Sequence, residues 1–362
     1  MKVLYITNVP SPYRVDFFNE LSDYCDLTVF YEKDVASNRD TKWENKDSRK
    51  FKQIFSRGIF NKDESALCFN ILPILLKRWD KIVVGGYATP TGILAILILK
   101  IKRAKFYINA DGGFIANEKL LKYRLKRYLI GSATYWLCTG KRTKEYLVHY
   151  GARSENIFEY PFSSLKLCEV EKVSQDKKER LRIQLDITNN IMVLSVGQFI
   201  QRKGFEDLLK ACSLLAENIS VYIIGGSPTD TYKNIVKKYN LENVHFIGFK
   251  TKTELIDFYH CADIFVLPTR EDIWGLVVNE AMSHGLPTIT TDKCIAGLTM
   301  ISEGQNGFII PIKDEQILAD KINLLAKDRN LRTVMGERAM QTAGIYTIEN
   351  MARIHYKIFL NN

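Results

Sequence analysis

Residues 191–204 read Ile191-Met192-Val193-Leu194-Ser195-Val196-Gly197-Gln198-Phe199-Ile200-Gln201-Arg202-Lys203-Gly204, and a helical pattern from Phe205 to Ala216 follows directly. An apolar run, a glycine turn and the start of an amphipathic helix are the parts of a βα unit. Backbone N–H groups at that helix start, with Arg202 and Lys203 beside them, make an anion site suited to a diphosphate. Neither the P-loop spacing nor Gly-x-Gly-x-x-Gly occurs here, and a solvated basic loop capped by Gly204 is the alternative.

The same rhythm extends in both directions. Apolar runs at Val3 to Ile6, Leu27 to Tyr31, Ile82 to Val84, Phe106 to Ile108 and Tyr135 to Leu137 alternate with helical patterns, and Val221 to Ile224, Val244 to Ile247, Ile264 to Leu267 and Thr288 to Thr290 continue the second series. Alternation of this kind predicts an α/β protein with two parallel sheets, that is, two Rossmann-like βαβ domains. We expect a first domain over 1–165, a polar linker over 166–182, a second domain over 183–345 and a closing helix over 346–362 packed back on the first domain. Ligands in such sheets bind beyond the carboxyl ends of the strands, so the chemistry is expected in post-strand loops and in a cleft between the domains.

Composition agrees with a folded chain. The 362 residues are 46% hydrophobic and 25% charged, which excludes a disordered or collagen-like polymer. Net charge is +10, and all of the excess is in the first part: residues 1–165 hold 27 basic and 17 acidic groups, whereas residues 166–362 hold 24 of each. That asymmetry points to a polyanionic or membrane-surface partner of the first half, with a plain solubility bias as the alternative. Seven scattered cysteines without metal-ligand spacing read as reduced, intracellular and metal-free. The N-terminal apolar run is too short for a signal peptide and reads as a buried strand, and the stretch from Gly92 to Leu99 is too short to span a bilayer.

A second chemical stretch follows the run Asp263 to Leu267: Pro268-Thr269-Arg270-Glu271-Asp272-Ile273-Trp274-Gly275-Leu276-Val277-Val278-Asn279-Glu280. With a helix starting near Leu276, Asp272 lies in the loop above it and Glu280 in its early turns, so both carboxylates can face one site. A carboxylate accepts two hydrogen bonds from a vicinal diol, which suits a ribose and a sugar beside a phosphate site. A helix-start acid and a Glu280/His284 pair four residues apart are the alternative.

Taken together, Gly197 to Gly204 with Lys203-Gly204, the Asp272/Glu280 pair, Gly275-Leu276-Val277 and Glu280-Ala281-Met282 with Gly285-Leu286-Pro287 resemble family 4 glycosyltransferases of the group 1 type. Gly248-Phe249, Ala262-Asp263 and Asn306-Gly307 extend the resemblance over most of the second half. The resemblance implies the GT-B fold, retaining transfer, a nucleotide-sugar donor such as a UDP- or GDP-sugar, and no cofactor or metal. It implies that Lys203 and Arg202 hold the donor diphosphate, Glu280 the ribose hydroxyls and Asp272 the transferred sugar. Gly197, Gln198, Gly204, Gly225, Phe249, Glu271, Gly275, Leu276 and Val277 complete the donor-binding set. Two departures stand out: Gln198 replaces the usual arginine, with Arg202 as its substitute, and the first acid is Asp272 rather than Glu, with Glu271 as a possible stand-in.

In the first half, Thr7-Asn8-Val9-Pro10-Ser11-Pro12-Tyr13-Arg14 follows the first strand, and Arg14 meets phosphate or acceptor, or pairs with Asp16 or Glu20 on its own helix. Asn109-Ala110-Asp111-Gly112-Gly113 makes Asp111 the best acceptor-side candidate, to orient or deprotonate a hydroxyl, with a plain turn as the alternative. Tyr87, Gly112 and Gly113 are the other acceptor-side candidates. Leu121, Leu125, Tyr128 and Leu129 recur at helical spacing among Lys119, Lys122, Arg124, Lys126 and Arg127, a basic amphipathic helix that can lie on an anionic leaflet or form an ordinary solvated face.

The resemblance implies a cytoplasmic glycosyltransferase, peripheral on the inner face of the cell membrane, that moves a sugar to a glycan or lipid-linked acceptor in capsular, exopolysaccharide or lipopolysaccharide synthesis. A GT-B nucleotide-sugar epimerase and a non-enzymatic nucleotide-sugar or nucleic-acid binder are the alternatives. No nucleic-acid-binding motif occurs, so nucleic acid is not expected as a partner.

Overall fold

The computed structural model describes residues 1–34, 50–56, 58–62, 64–187 and 191–362, which fall into two compact units. The first comprises Met1–Ser164 with Thr347–Asn362, the second Leu165–Tyr346.

In the first unit the strands are β1 (Lys2–Thr7), β2 (Asp26–Tyr31), β3 (Lys52–Phe55), a small antiparallel hairpin of β4 (Ile59–Lys62) and β5 (Ser65–Leu67), then β6 (Lys81–Val84), β7 (Tyr107–Ala110), β8 (Tyr135–Cys138) and β9 (Ile157–Glu159). Its seven-stranded sheet runs β3-β2-β1-β6-β7-β8-β9, every neighbour parallel. Every residue of β1 after Lys2 is buried, as a strand covered on both faces requires. Helix Pro90–Ile101 shows the local logic of the crossovers: Thr89 accepts from the Gly92 N–H at 3.0 Å, and Pro90 takes the first helical position, where no donor is needed.

The second unit repeats the design with β10 (Ile191–Val196), β11 (Ile219–Ile224), β12 (Val244–Ile247), β13 (Ile264–Leu267), β14 (Thr288–Thr291) and β15 (Gly307–Ile310), ordered β12-β11-β10-β13-β14-β15 and again parallel. Its core joins Val193, Ile223, Ile264, Val266 and Ile289 of the sheet to Phe205, Leu208 and Ile322 of the helices.

Two stretches differ from the sequence expectation. Residues 166–182 do not form a linker: helix Gln175–Gln184 belongs to the second unit. Lys178 Nζ meets Asp263 Oδ1 at 2.7 Å and Arg182 Nη2 meets Asp263 Oδ2 at 2.5 Å. The polar composition that suggested a linker is the composition of a helix held by ion pairs. Strands β3, β4, β5, β9 and β15 carry no expectation from the sequence. The final helix Ile348–Asn361, capped by Thr347 on the Asn350 N–H at 3.3 Å, joins the first unit. There His355 faces Phe17 of helix Pro12–Ser22 and Tyr356 faces Tyr24 just beyond that helix, with ring centroids 4.8 and 5.3 Å apart. Among the described residues no helix is long and apolar enough to cross a membrane.

Candidate active site

Strands β10 and β13 are sheet neighbours, yet the chain winds outward from β10 through β11 and β12 on one side and from β13 through β14 and β15 on the other. Loops leaving the carboxyl ends of β10 and β13 therefore diverge and open a crevice, the usual ligand position in such a sheet. Both chemical stretches of the second half lie there. The loop after β10 ends in a single turn, Gln201–Lys203, and Gly204 opens helix Phe205–Cys212 at φ +69°. A side chain at Gly204 would also put its Cβ 2.0 Å from the Pro268 carbonyl oxygen, so the two loops touch here through backbone.

Polar contacts lock that seam. The Arg270 N–H donates to the Arg202 carbonyl at 2.8 Å, Thr269 Oγ1 donates to the same carbonyl at 3.0 Å, and Arg202 Nη1 donates to the Glu271 carbonyl at 2.8 Å. The Arg270 guanidinium grips Asp207 of the following helix at 2.6 and 2.9 Å. The result places Lys203 Nζ 2.6 Å from Asp272 Oδ2, with Arg202 Nη1 3.5 Å from Asp272 Oδ1. Side chains of Lys203 and Asp272 are each 12% exposed, whereas Arg202 is 44% exposed. The Lys203 stem lies over Gly197, and Gly225, after β11, packs against the Gly197 carbonyl. Gln198 points to solvent while the next residue, Phe199, enters the core against Phe205. Glu271 is exposed, so Asp272 rather than its neighbour meets the cations.

After Asp272, Gly275 at φ +102° turns the chain into helix Leu276–Ser283, with Leu276 and Val277 half-buried in its first turn. Glu280 lies on this helix, and its Oε2 accepts from the Tyr259 hydroxyl at 2.9 Å. Phe249 is exposed in the loop after β12. The second unit thus brings together two cations, two helix starts and the Asp272 carboxylate, an arrangement able to hold a diphosphate, with Glu280 further along the second of those helices against Tyr259.

The first unit has its own charged centre. Arg14, on the helix after β1, donates from Nη2 to both carboxylate oxygens of Asp111, which follows β7. Asn109 Nδ2 and the Tyr160 hydroxyl donate to Asp111 Oδ1 at 2.6 and 2.8 Å. Burial pushes the Asp111 carboxyl up, but the Arg14 charge and these three donors outweigh it and hold the group below the ordinary carboxylate range. Arg14 sits beneath, 6% exposed and 5.1 Å from the Phe162 ring, while the Asp111 side chain is 31% exposed. Gly113 lets the backbone pass against the face of Tyr146, whose hydroxyl lies 3.0 Å from that of Tyr87. Gly112 is half-buried beside them.

The basic helix forms as Leu120–Ile130, with Lys119 at its N-cap. Its cations do not share one face. Lys126 turns inward, 2.6 Å from buried Glu118 and over the Tyr150 ring at 4.8 Å, and Lys122 reaches the same Glu118 at 3.3 Å. Arg124 and Arg127 instead line an open groove with Lys100, Tyr128, Gly131 and Gly151, next to exposed Leu121 and Leu125.

Sequence reasoning missed Tyr160, Asn109 and Tyr259. Each acts on a carboxylate through a contact closed only by the fold. Asn109, two residues before Asp111, is the one that spacing could have suggested.

Residues 177–342 match the family model described as glycosyl transferases group 1. The match lies wholly within the second unit. The chain is similar to the D-inositol 3-phosphate glycosyltransferase of Corynebacterium aurimucosum, 30% identical over 57% of this chain and 51% of that protein. It thus spans about half the length of that relative. It is also similar to the N,N'-diacetylbacillosaminyl-diphospho-undecaprenol alpha-1,3-N-acetylgalactosaminyltransferase of Campylobacter jejuni, 24% identical over 80% of this chain and 74% of the other. Among solved structures, Anabaena HepE in complex with UDP superposes with a TM-score of 0.81 at 15% identity, each chain covered completely. The fold is GT-B, with two Rossmann-like domains.

Proposed function

We propose that the chain is a hexosyltransferase of glycosyltransferase family 4, moving a sugar with retained configuration from a UDP- or GDP-sugar to a hydroxyl of a lipid-linked glycan. The single observation that carries this reading is the meeting of Lys203, Arg202 and Asp272 at the switch point of the group 1 domain. Lys203, Arg202 and the helix starts neutralise the diphosphate without a metal or other cofactor. Asp272 orients the transferred sugar, and Glu280 holds the ribose. In the transfer the bond from the sugar's anomeric carbon to the phosphate oxygen breaks, the bond to the acceptor oxygen forms, and the acceptor proton passes to the departing phosphate. Asp111, held as an anion by Arg14, accepts a hydrogen bond from the acceptor hydroxyl and does not take its proton. The names of the relatives support a glycosyltransferase, and the undecaprenol-linked substrate in the Campylobacter relative's name supports a lipid-linked acceptor.

The test is a thermal-shift panel with UDP, GDP, dTDP and CMP, run in parallel on Lys203→Ala, because selective binding raises the melting temperature by mass action. A rise with one diphosphate, absent in the variant, is expected; no rise with any of them overturns the reading. The anomeric configuration of the transferred sugar, read by NMR of the product, tests retention.

A peripheral position on the inner face of the membrane belongs to the same reading. It is favoured by the groove of Lys100, Arg124 and Arg127 beside exposed Leu121 and Leu125, cations next to apolar side chains on one surface. Vesicles containing phosphatidylglycerol should sediment the protein and pure phosphatidylcholine vesicles should not. Arg124→Ala/Arg127→Ala should lose the difference.

A further inference from the structure

The hydroxyl that holds Glu280 belongs to a residue that the donor site as described leaves unused. Tyr259 lies near the end of helix Lys252–Cys261, 2% exposed, and donates to Glu280 Oε2 at 2.9 Å. Its ring is fixed from several sides. Phe265 of β13 lies 6.1 Å away, His284 stacks on it at 5.4 Å with planes 17° apart, and His260 closes edge-on against His284 at 4.8 Å. The helix itself is rigid at its start through a reciprocal cap, Thr251 Oγ1 accepting from the Glu254 N–H and Glu254 Oε2 accepting from the Thr251 N–H at 2.8 Å. That start follows directly on the loop carrying Gly248 and Phe249. One element therefore runs from the loop after β12 to the phenol that orients Glu280.

A phenol suits this task better than a cation would. Burial first, and then the Glu280 carboxylate, push the Tyr259 hydroxyl well above its ordinary range, so it remains a neutral donor across working pH. Holding one oxygen of an acid in direction removes rotamer freedom that a ligand would otherwise have to freeze on binding.

We propose that Tyr259 is a positioning residue that aims Glu280 at the ribose hydroxyls, and so sets the preference of the donor site for ribonucleotides over deoxyribonucleotides. This rests on the reading of Glu280 as the ribose acid.

The experiment measures calorimetric affinity of the intact chain for UDP and GDP and for their 2'-deoxy and 3'-deoxy counterparts, in wild type, Tyr259→Phe, Glu280→Gln and His284→Ala. Wild type should favour the ribonucleotide by about tenfold or more, since a site built to bond a hydroxyl rejects the analogue lacking it. Glu280→Gln should abolish the preference. Tyr259→Phe should reduce it several-fold while leaving affinity for the deoxy forms unchanged, and His284→Ala, which removes the stacked ring but keeps the phenol, should retain it. Full preference in Tyr259→Phe together with loss in Glu280→Gln overturns the proposal alone and makes Tyr259 a packing residue. Equal loss in His284→Ala and Tyr259→Phe does the same. Preference kept in Glu280→Gln, or absent from wild type, overturns the reading of Glu280 and the proposal with it.

Discussion

Each unit puts an ion pair at the carboxyl edge of its sheet, built from a cation that follows the unit's first strand and an aspartate from a later loop: Arg14 with Asp111 in the first unit, Lys203 with Asp272 in the second. The pairs differ in which partner faces outward. In the first, the guanidinium is sealed beneath at 6% exposure and the acid is presented at 31%; in the second, acid and lysine are equally shielded at 12% while Arg202 stands 44% exposed beside them. One topology has thus made one surface that offers a carboxylate and another that offers cations. The difference teaches that winding order decides where charge collects, and side-chain depth decides which sign meets the ligand. A presented carboxylate suits hydroxyls, and presented cations suit a diphosphate.

Breaking the cationic side should have the largest effect. Lys203→Ala should lower transfer by about 10²–10³-fold, the usual consequence of removing one preorganised charge donor, measured as kcat/KM against donor. Arg202→Ala removes the cation that stands outermost and should also lower kcat/KM, and an unchanged value would contradict the depth argument.

Next is the seam that joins the two loops. Gly204→Val forces a branched side chain to φ +69° and against the Pro268 carbonyl. It should destabilise the protein by about 3 kcal/mol in urea unfolding, the upper range for a strained backbone position.

On the carboxylate side, Asp111→Asn should raise the acceptor KM by about tenfold while nucleoside-diphosphate affinity stays unchanged, in line with loss of one charged hydrogen bond. A change in nucleotide affinity instead would remove the division of labour between the units.

A last test separates the units by pH. Glu32 of the first unit is fully buried, bonded to the Thr89 hydroxyl and, at 3.0 Å, to the Ala66 N–H, and burial raises its carboxyl to about 7. Its folded state binds the proton more tightly than the unfolded chain. Stability should therefore fall by up to about 1.4 kcal/mol per unit as pH rises from 5 to 7, and then level off. Glu32→Gln should flatten that slope. In the second unit His284 is held down to about 4 by burial and by His260, so its contribution is present above pH 6.5 and is lost as pH falls toward 4. His284→Ala should soften the acid limb and leave the alkaline one alone.

Much of this molecule was legible in the residues. Strands Ile191–Val196 and Ile264–Leu267 form at the bounds their apolar runs predict, and the turn into helix Leu276–Ser283 forms where Gly275 allows it. Such signals are local, because a strand buried on both faces, as these two are, is apolar along most of its length. Strands β9 and β15 escaped notice because each is an edge strand, one ending on exposed Glu159 and the other opening on Gly307, so neither shows the continuous apolar run of the inner strands.

The sequence by itself determined the two α/β series, the loops that bear charge, and the residue types gathered at the second domain's switch point. Only the tertiary structure decided who partners whom: Arg14 with Asp111 across 97 positions, Lys203 with Asp272 across 69, and Tyr259 with Glu280 across 21. It also turned Lys126 inward while Arg124 and Arg127 line the open groove. The physical reason is that periodicity records whether a position is buried, a property each residue carries along its own strand or helix. Partner choice and the depth of a charge arise only when distant segments close on one another.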